Sequence, residues 1–202
     1  ANNAGSIDGA LYFWTHNTPI QQSGSDYIYT ADDYATYNRT GGTGTAKGAA
    51  LSGGQVPSGK IASGQSFFVG TASGIPANSR FQFKNSMRII DQNTQFFKQA
   101  STKKATAIEK NRVWLNLTNS GGAFRQLLVG YITGATNDWD NLYDGPTFDG
   151  QEFVDFYSVN QGKNLTIQGR ALPFVDTDVV PLGYRSTIAG PFDISIDNRD
   201  GA

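Results

Sequence analysis

The stretch Arg112-Val-Trp-Leu-Asn-Leu-Thr-Asn-Ser-Gly-Gly-Ala-Phe-Arg-Gln-Leu-Leu-Val-Gly-Tyr-Ile132 decides the fold class. Val113, Leu115 and Leu117 alternate with Arg112, Trp114 and Asn116. A period of two is the signature of a strand, because successive side chains leave opposite faces of the backbone. Thr118-Asn-Ser-Gly-Gly122 carries turn residues. The run from Phe124 to Ile132 is again strand-like. Two such runs around a short glycine-containing loop predict a β-hairpin.

The same rhythm recurs on both sides of this stretch. Toward the C-terminus, strand-like runs fall at 152–157, 165–168, 179–184 and 192–196. In the last, Phe192, Ile194 and Ile196 alternate with Asp193, Ser195 and Asp197, so one face is expected to meet water. Toward the N-terminus, runs fall at 10–14, 26–30, 64–70 and 80–83, with one helical turn near 31–37. Phe81 and Phe83 alternate with Arg80, Gln82 and Lys84. Residues 39–59 read as a glycine-rich surface loop without the spacing of a phosphate-binding loop. Residues 99–110 are polar and lack an apolar stripe. The expectation is an all-β antiparallel sandwich of the jelly-roll or immunoglobulin-like type with very little helix. It is one continuous domain or two sub-sandwiches, 1–99 and 111–202, joined by a crossing segment at 100–110.

Composition narrows the chemistry. The 202 residues include 15 Asp, 2 Glu, one His and no Cys. Asp favours turns and caps, whereas Glu favours helix interiors. Without Cys there are no disulfides or thiolate metal sites, and one His cannot build a two-His metal site. The net charge of −1 argues against a nucleic-acid partner. No apolar run reaches the length of a membrane span.

Two constellations could carry a ligand. Asn137-Asp-Trp-Asp-Asn-Leu-Tyr-Asp-Gly145, followed by Asp149, is dense in oxygen donors. Asp138, Asp140 and Asp144 could bind calcium, which takes six to eight oxygens. The alternative is turn chemistry, in which Asp side chains bond the nearby backbone. Trp139 and Tyr143 lie in the same loop and, with Asp149, could form a sugar-binding surface. Trp14 and Trp114 sit in apolar strand patterns and are expected in the core. No catalytic motif marks the chain. Glu152 reads as a solvent-facing strand residue and His16 as a strand-end polar residue. Ser73 and Ser120 lack the Gly-x-Ser-x-Gly context. The expectation is that the chain is not an enzyme and needs either no cofactor or calcium.

Longer motifs add a resemblance. They include Leu11-Tyr-Phe-Trp-Thr-His-Asn-Thr18, Ile61-Ala-Ser-Gly-Gln-Ser-Phe-Phe-Val69, Phe83-Lys-Asn-Ser-Met-Arg88 and Gln95-Phe-Phe-Lys98. They continue with Arg112-Val-Trp-Leu-Asn-Leu-Thr-Asn119, Leu128-Val-Gly-Tyr-Ile-Thr-Gly-Ala-Thr136, Ile167-Gln-Gly-Arg-Ala-Leu-Pro-Phe174 and Asp178-Val-Val-Pro-Leu-Gly-Tyr184. In this order they resemble the C-terminal region, preceding the sorting domain, of large type IX-secreted cell-surface proteins of Flavobacterium-type Bacteroidetes. The resemblance implies an extracellular or cell-surface location and a structural or adhesive role. Polysaccharide binding, or service as an accessory segment of a secreted hydrolase, is the alternative. Members of that group are expected to run on past Asp197-Asn-Arg-Asp-Gly201 and to begin with a strand leading into Ile7-Asp8-Gly9. A sandwich lacking a terminal strand exposes a sheet edge, which a neighbouring copy could cover by strand addition.

Overall fold

The hairpin forms as expected. In the computed structural model, which describes residues 3–15, 21–28, 31–45, 56–89, 108–148 and 153–201, β6 (Lys110–Thr118) pairs antiparallel with β7 (Phe124–Ile132) along its whole length. The Asn119 N–H donates to the Ala123 carbonyl (3.3 Å) and the Gly122 N–H to the Asn119 carbonyl (3.2 Å). Gly122 has φ +90°, a conformation that side chains rarely adopt.

The other strands arrange around this hairpin. They are β1 (Leu11–Trp14), β2 (Gln21–Ser23), β3 (Asp26–Ile28), β4 (Tyr34–Tyr37), β5 (Gly42–Thr43), β8 (Gly145–Pro146), β9 (Val154–Asn160), β10 (Lys163–Arg170), β11 (Leu182–Ser186) and β12 (Asp193–Asp200). The large sheet has the order β11-β9-β10-β7-β6-β12, with β8 beside β10. A second sheet is β1-β4-β5, and β2 pairs with β3 alone. The fold is all-β and sandwich-like.

One pair departs from the antiparallel expectation: β10 runs parallel to β7, from Ile167↔Leu128 to Arg170↔Tyr131. Strand direction leaves no mark on side-chain alternation, so the pattern alone could not reveal it. β9 and β10 are joined by a two-residue turn with φ > 0 at both Gln161 (49°) and Gly162 (73°). That geometry matches the twist of the flanking strands.

Both faces of the hairpin are covered. Leu117, Leu127 and Val129 pack with Val154 and Phe156 of β9. Each such side chain contributes about 1.5–3 kcal/mol when fully buried. On the opposite face, Trp114 and Leu128 pack with Ile167 of β10. There the N-terminal part of the chain closes down. Trp114 Nε1–H donates to the Gly42 carbonyl at 2.8 Å, and Arg112 Nη1 to the Thr40 carbonyl at 3.0 Å. The Arg112 guanidinium also lies over the Trp114 ring (4.9 Å) and pairs with Asp200 of β12 through both carboxylate oxygens.

Several expected elements fall differently. Residues 64–70 form no continuous strand; Phe68 makes one bridge to Tyr12, and Thr71 one to Ile7. Residues 80–83 are exposed and form no strand. The helical turn near 31–37 is a 3-10 turn at Ala31–Asp33 that leads directly into β4. Trp14, expected in the core, is exposed at 39 % at the end of β1, whose Tyr12 and Phe13 are the buried residues. Residues 100–107 of the expected crossing segment lie outside the described residues; residue 110 already begins β6.

Trp114→Phe keeps an aromatic side chain but replaces the indole by a smaller phenyl ring and leaves the Gly42 carbonyl without its donor. It is expected to lower stability by about 1–3 kcal/mol, read by urea unfolding. No change would show that this bond does not hold the two sheets together.

Candidate functional site

The acidic loop after β7 is held by its own backbone. Asp144 is fully buried. Its Oδ2 accepts the Asp140 N–H and its Oδ1 the Gly169 N–H, both at 2.8 Å. The Asp140 carbonyl in turn accepts the N–H groups of Tyr143 (3.0 Å) and Asp144 (2.7 Å), and Asp140 Oδ1 accepts the Leu142 N–H (3.0 Å). These bonds are the turn chemistry expected of Asp in a tight loop. Asp138 points outward, and its Oδ1 accepts from Gln161 Nε2 at 2.8 Å. Among the described residues no group of three or more His, Asp or Glu side chains stands together so as to hold a metal ion. The structure therefore does not gather Asp138, Asp140 and Asp144 around one point.

Burial pushes the Asp144 carboxyl up to about 7, against the two backbone N–H bonds that favour the anion. The same loop closes on the N-terminal segment. A Cβ added at Gly9 (φ +108°) would stand 2.3 Å from the Asp144 carbonyl oxygen, so only glycine fits there. Asn38 Nδ2 and Thr40 Oγ1 both donate to the Tyr143 carbonyl, at 2.8 and 2.6 Å.

The aromatic surface expected here is only partly present. Tyr143 is buried; its hydroxyl donates to the Thr133 carbonyl (3.4 Å), and the Arg39 guanidinium lies over its ring (5.1 Å). It is a core residue and offers no face to a sugar. Trp139 is half-buried, with the Lys163 ammonium 4.8 Å from its ring centre. Asp149, Glu152 and His16 lie outside the described residues.

A family model describing a domain of unknown function, DUF8693, matches residues 1–202. The chain belongs to this family. No curated protein and no solved structure matches it.

The interior of this DUF8693 domain offers little room at its inter-sheet polar pocket. Thr36, Thr43, Asp32, Arg125 and Asp155 line a space of ≈ 20 Å³, enough for about one water. A larger open cleft of ≈ 730 Å³ lies over β6, between Val113, Tyr131, Phe174 and Arg199. Beside it, Arg170 and Asp178 form an ion pair, and the Tyr131 hydroxyl donates to Asp178 at 2.9 Å. The guanidinium holds the Asp178 carboxyl below the usual range, and burial with this bond pushes Tyr131 up to about 12. Among the described residues no helix is long and apolar enough to cross a membrane.

The most unusual surface is at the margins of the large sheet. β11 and β12 are its two edge strands. Leu182 and Tyr184 stand opposite Ser158 and Phe156 of β9, on the inward face, yet Tyr184 is 56 % exposed. Ile194 and Ile196 stand opposite Leu117 and Leu115 of β6, also on the inward face, yet are 54 % and 64 % exposed. The two layers thus remain open at this side. Alternation identified the apolar face of β12, but nothing in it says whether a layer lies above.

The raised Asp144 pKa gives a signed prediction. Folding takes up a proton between pH 3.8, the exposed value, and about 7. The stability this group contributes is greatest below that window, declines through it and is level above it. Asp144→Asn abolishes the titration and sets an NH₂ against a backbone N–H, costing about 1–3 kcal/mol. The stability gap between wild type and variant is expected to narrow from pH 5 to pH 8 in urea titrations. A gap that widens contradicts the assignment.

Proposed function

We propose that this domain is a non-catalytic structural or adhesive module of a secreted bacterial surface protein, and that it self-assembles through exposed strand edges. The observation that supports this most is the open margin at β11 and β12, where Leu182, Tyr184, Ile194 and Ile196 face inward but remain in contact with water. An edge strand with unpaired backbone and an apolar face is a template for another strand. Burying such side chains is favourable at about 25 cal/mol per Å² of apolar surface. The secreted, cell-surface part of the reading rests on the resemblance of the sequence motifs. Polysaccharide binding has less support, because Tyr143 is buried and Lys163 covers part of Trp139.

Sedimentation velocity across the micromolar range tests the assembly. The expected result is a weight-average sedimentation coefficient that climbs with concentration. A single monomer species at every concentration would overturn the self-assembly.

A further inference from the structure

Self-assembly through a strand edge needs a partner segment that fits that edge. The backbone of β12 defines which groups are on offer. In an antiparallel ladder, residues alternate between those that bond one neighbour and those that bond the other. At one end of the β6–β7 hairpin, the Asn119 N–H bonds the Ala123 carbonyl; at the other, the Thr133 N–H bonds the Glu109 carbonyl (3.1 Å). The odd-numbered residues of β6 therefore bond β7, and the even-numbered ones bond β12. Asn116 and Thr118 stand opposite Ser195 and Asp193. Ser195 and Asp193 thus spend their N–H and C=O on β6, and Ile194 and Ile196 turn theirs outward. Asp193, Ser195 and Asp197 alternate with the two isoleucines, and a bulge between Ile196 and Asn198 ends the regular edge.

A complementary segment exists in the same chain. Residues 80–84 read Arg-Phe-Gln-Phe-Lys. Phe81 is 41 % and Phe83 77 % exposed. The Gln82 N–H donates to Asn3 Oδ1 (2.8 Å), and the Gln82 carbonyl accepts from Asn3 Nδ2 (3.1 Å). The Asn3 amide therefore takes the two bonds that a neighbouring strand would make on that edge. Lys84 is extended (φ −115°, ψ 152°). On an extended segment, Phe81 and Phe83 direct their N–H and C=O to the opposite edge, where among the described residues no backbone partner meets them.

We propose that residues 80–84 of one copy add as an antiparallel strand to the free edge of β12 in a second copy, with Phe83 opposite Ile194 and Phe81 opposite Ile196. This rests on the self-assembly reading and names its two surfaces. The register places Lys84 opposite Asp193, Gln82 opposite Ser195 and Arg80 opposite Asp197 at the bulge. The outward N–H and C=O groups of Phe81 and Phe83 meet those of Ile196 and Ile194. The four apolar side chains share one face, and both ends carry opposite charges. Self-pairing of β12 across a two-fold axis, with Ile194 opposite Ile196, would instead set Asp193 against Asp197 twice, which is repulsive. Because the two surfaces differ, the contact is head-to-tail, and repetition gives a ring or a filament.

Complementation tests this directly. Phe83→Asp spoils the donor segment and leaves β12 intact; Ile194→Asp spoils β12 and leaves the donor intact. Both positions are exposed, and thermal unfolding checks that each variant folds. Ile194→Pro is a second edge variant, since it removes only an outward N–H. By sedimentation velocity each variant alone is expected to stay monomeric where the wild type assembles. An equimolar mixture of F83D with I194D or I194P is expected to form a 1:1 dimer that grows no further. Wild-type assembly unaffected by either variant, or a mixture that stays monomeric, overturns this pairing while leaving self-assembly standing. A wild type that never assembles overturns both.

Discussion

The structure depends on β7 being covered on both faces. A hairpin alone is marginal in water. Here one face meets β9 through Leu127, Val129 and Phe156, and the other meets Ile167 and the chain around Gly42 through Leu128 and Trp114. β10 makes this possible. It pairs with β9 in its first half and with β7 in its second, so β9 and β11 swing over the hairpin instead of extending its plane. The covering layers run out toward β12, where inward-facing isoleucines still meet water.

Buried polar links then lock the N-terminal part against this centre. Asp144 ties the acidic loop to Gly169, while Asn38 and Thr40 tie the N-terminal strands to Tyr143. Each bond satisfies a backbone group that burial would otherwise leave costly. The acidic loop is therefore a clasp between segments, and its dense Asp and Asn content reflects backbone satisfaction.

The strands around the hairpin were legible because alternation and turn residues are local signals. Residues 112–117, 124–132 and 192–196 carry them plainly, and β6, β7 and β12 form there. Residues 80–83 carry the same alternation but form no strand, because a strand also needs a neighbour, and Asn3 supplies only one residue's worth of bonds. Trp14 and Tyr143 exchanged their expected places for a related reason. Exposure depends on which layer lies above a residue, and that is set by contacts far away in sequence. The parallel pairing of β10 with β7 was hidden because direction does not alter which side chains share a face. At the candidate site, the loop chemistry of Asp140 and Asp144 could be read from residue type, whereas the burial of Asp144 could not.

The free edge of β12 presents the backbone N–H and C=O groups of Ile194 and Ile196 outward until another strand covers it. Residue-level hydrogen exchange of the amides of β12 tests this most directly. In dilute protein, the Ile194 and Ile196 amides are expected to exchange fast while Ser195, bonded to β6, is protected. In concentrated protein all three are expected to be slow. Protection of Ile194 and Ile196 in the dilute monomer, or fast exchange at both at every concentration, would contradict the account.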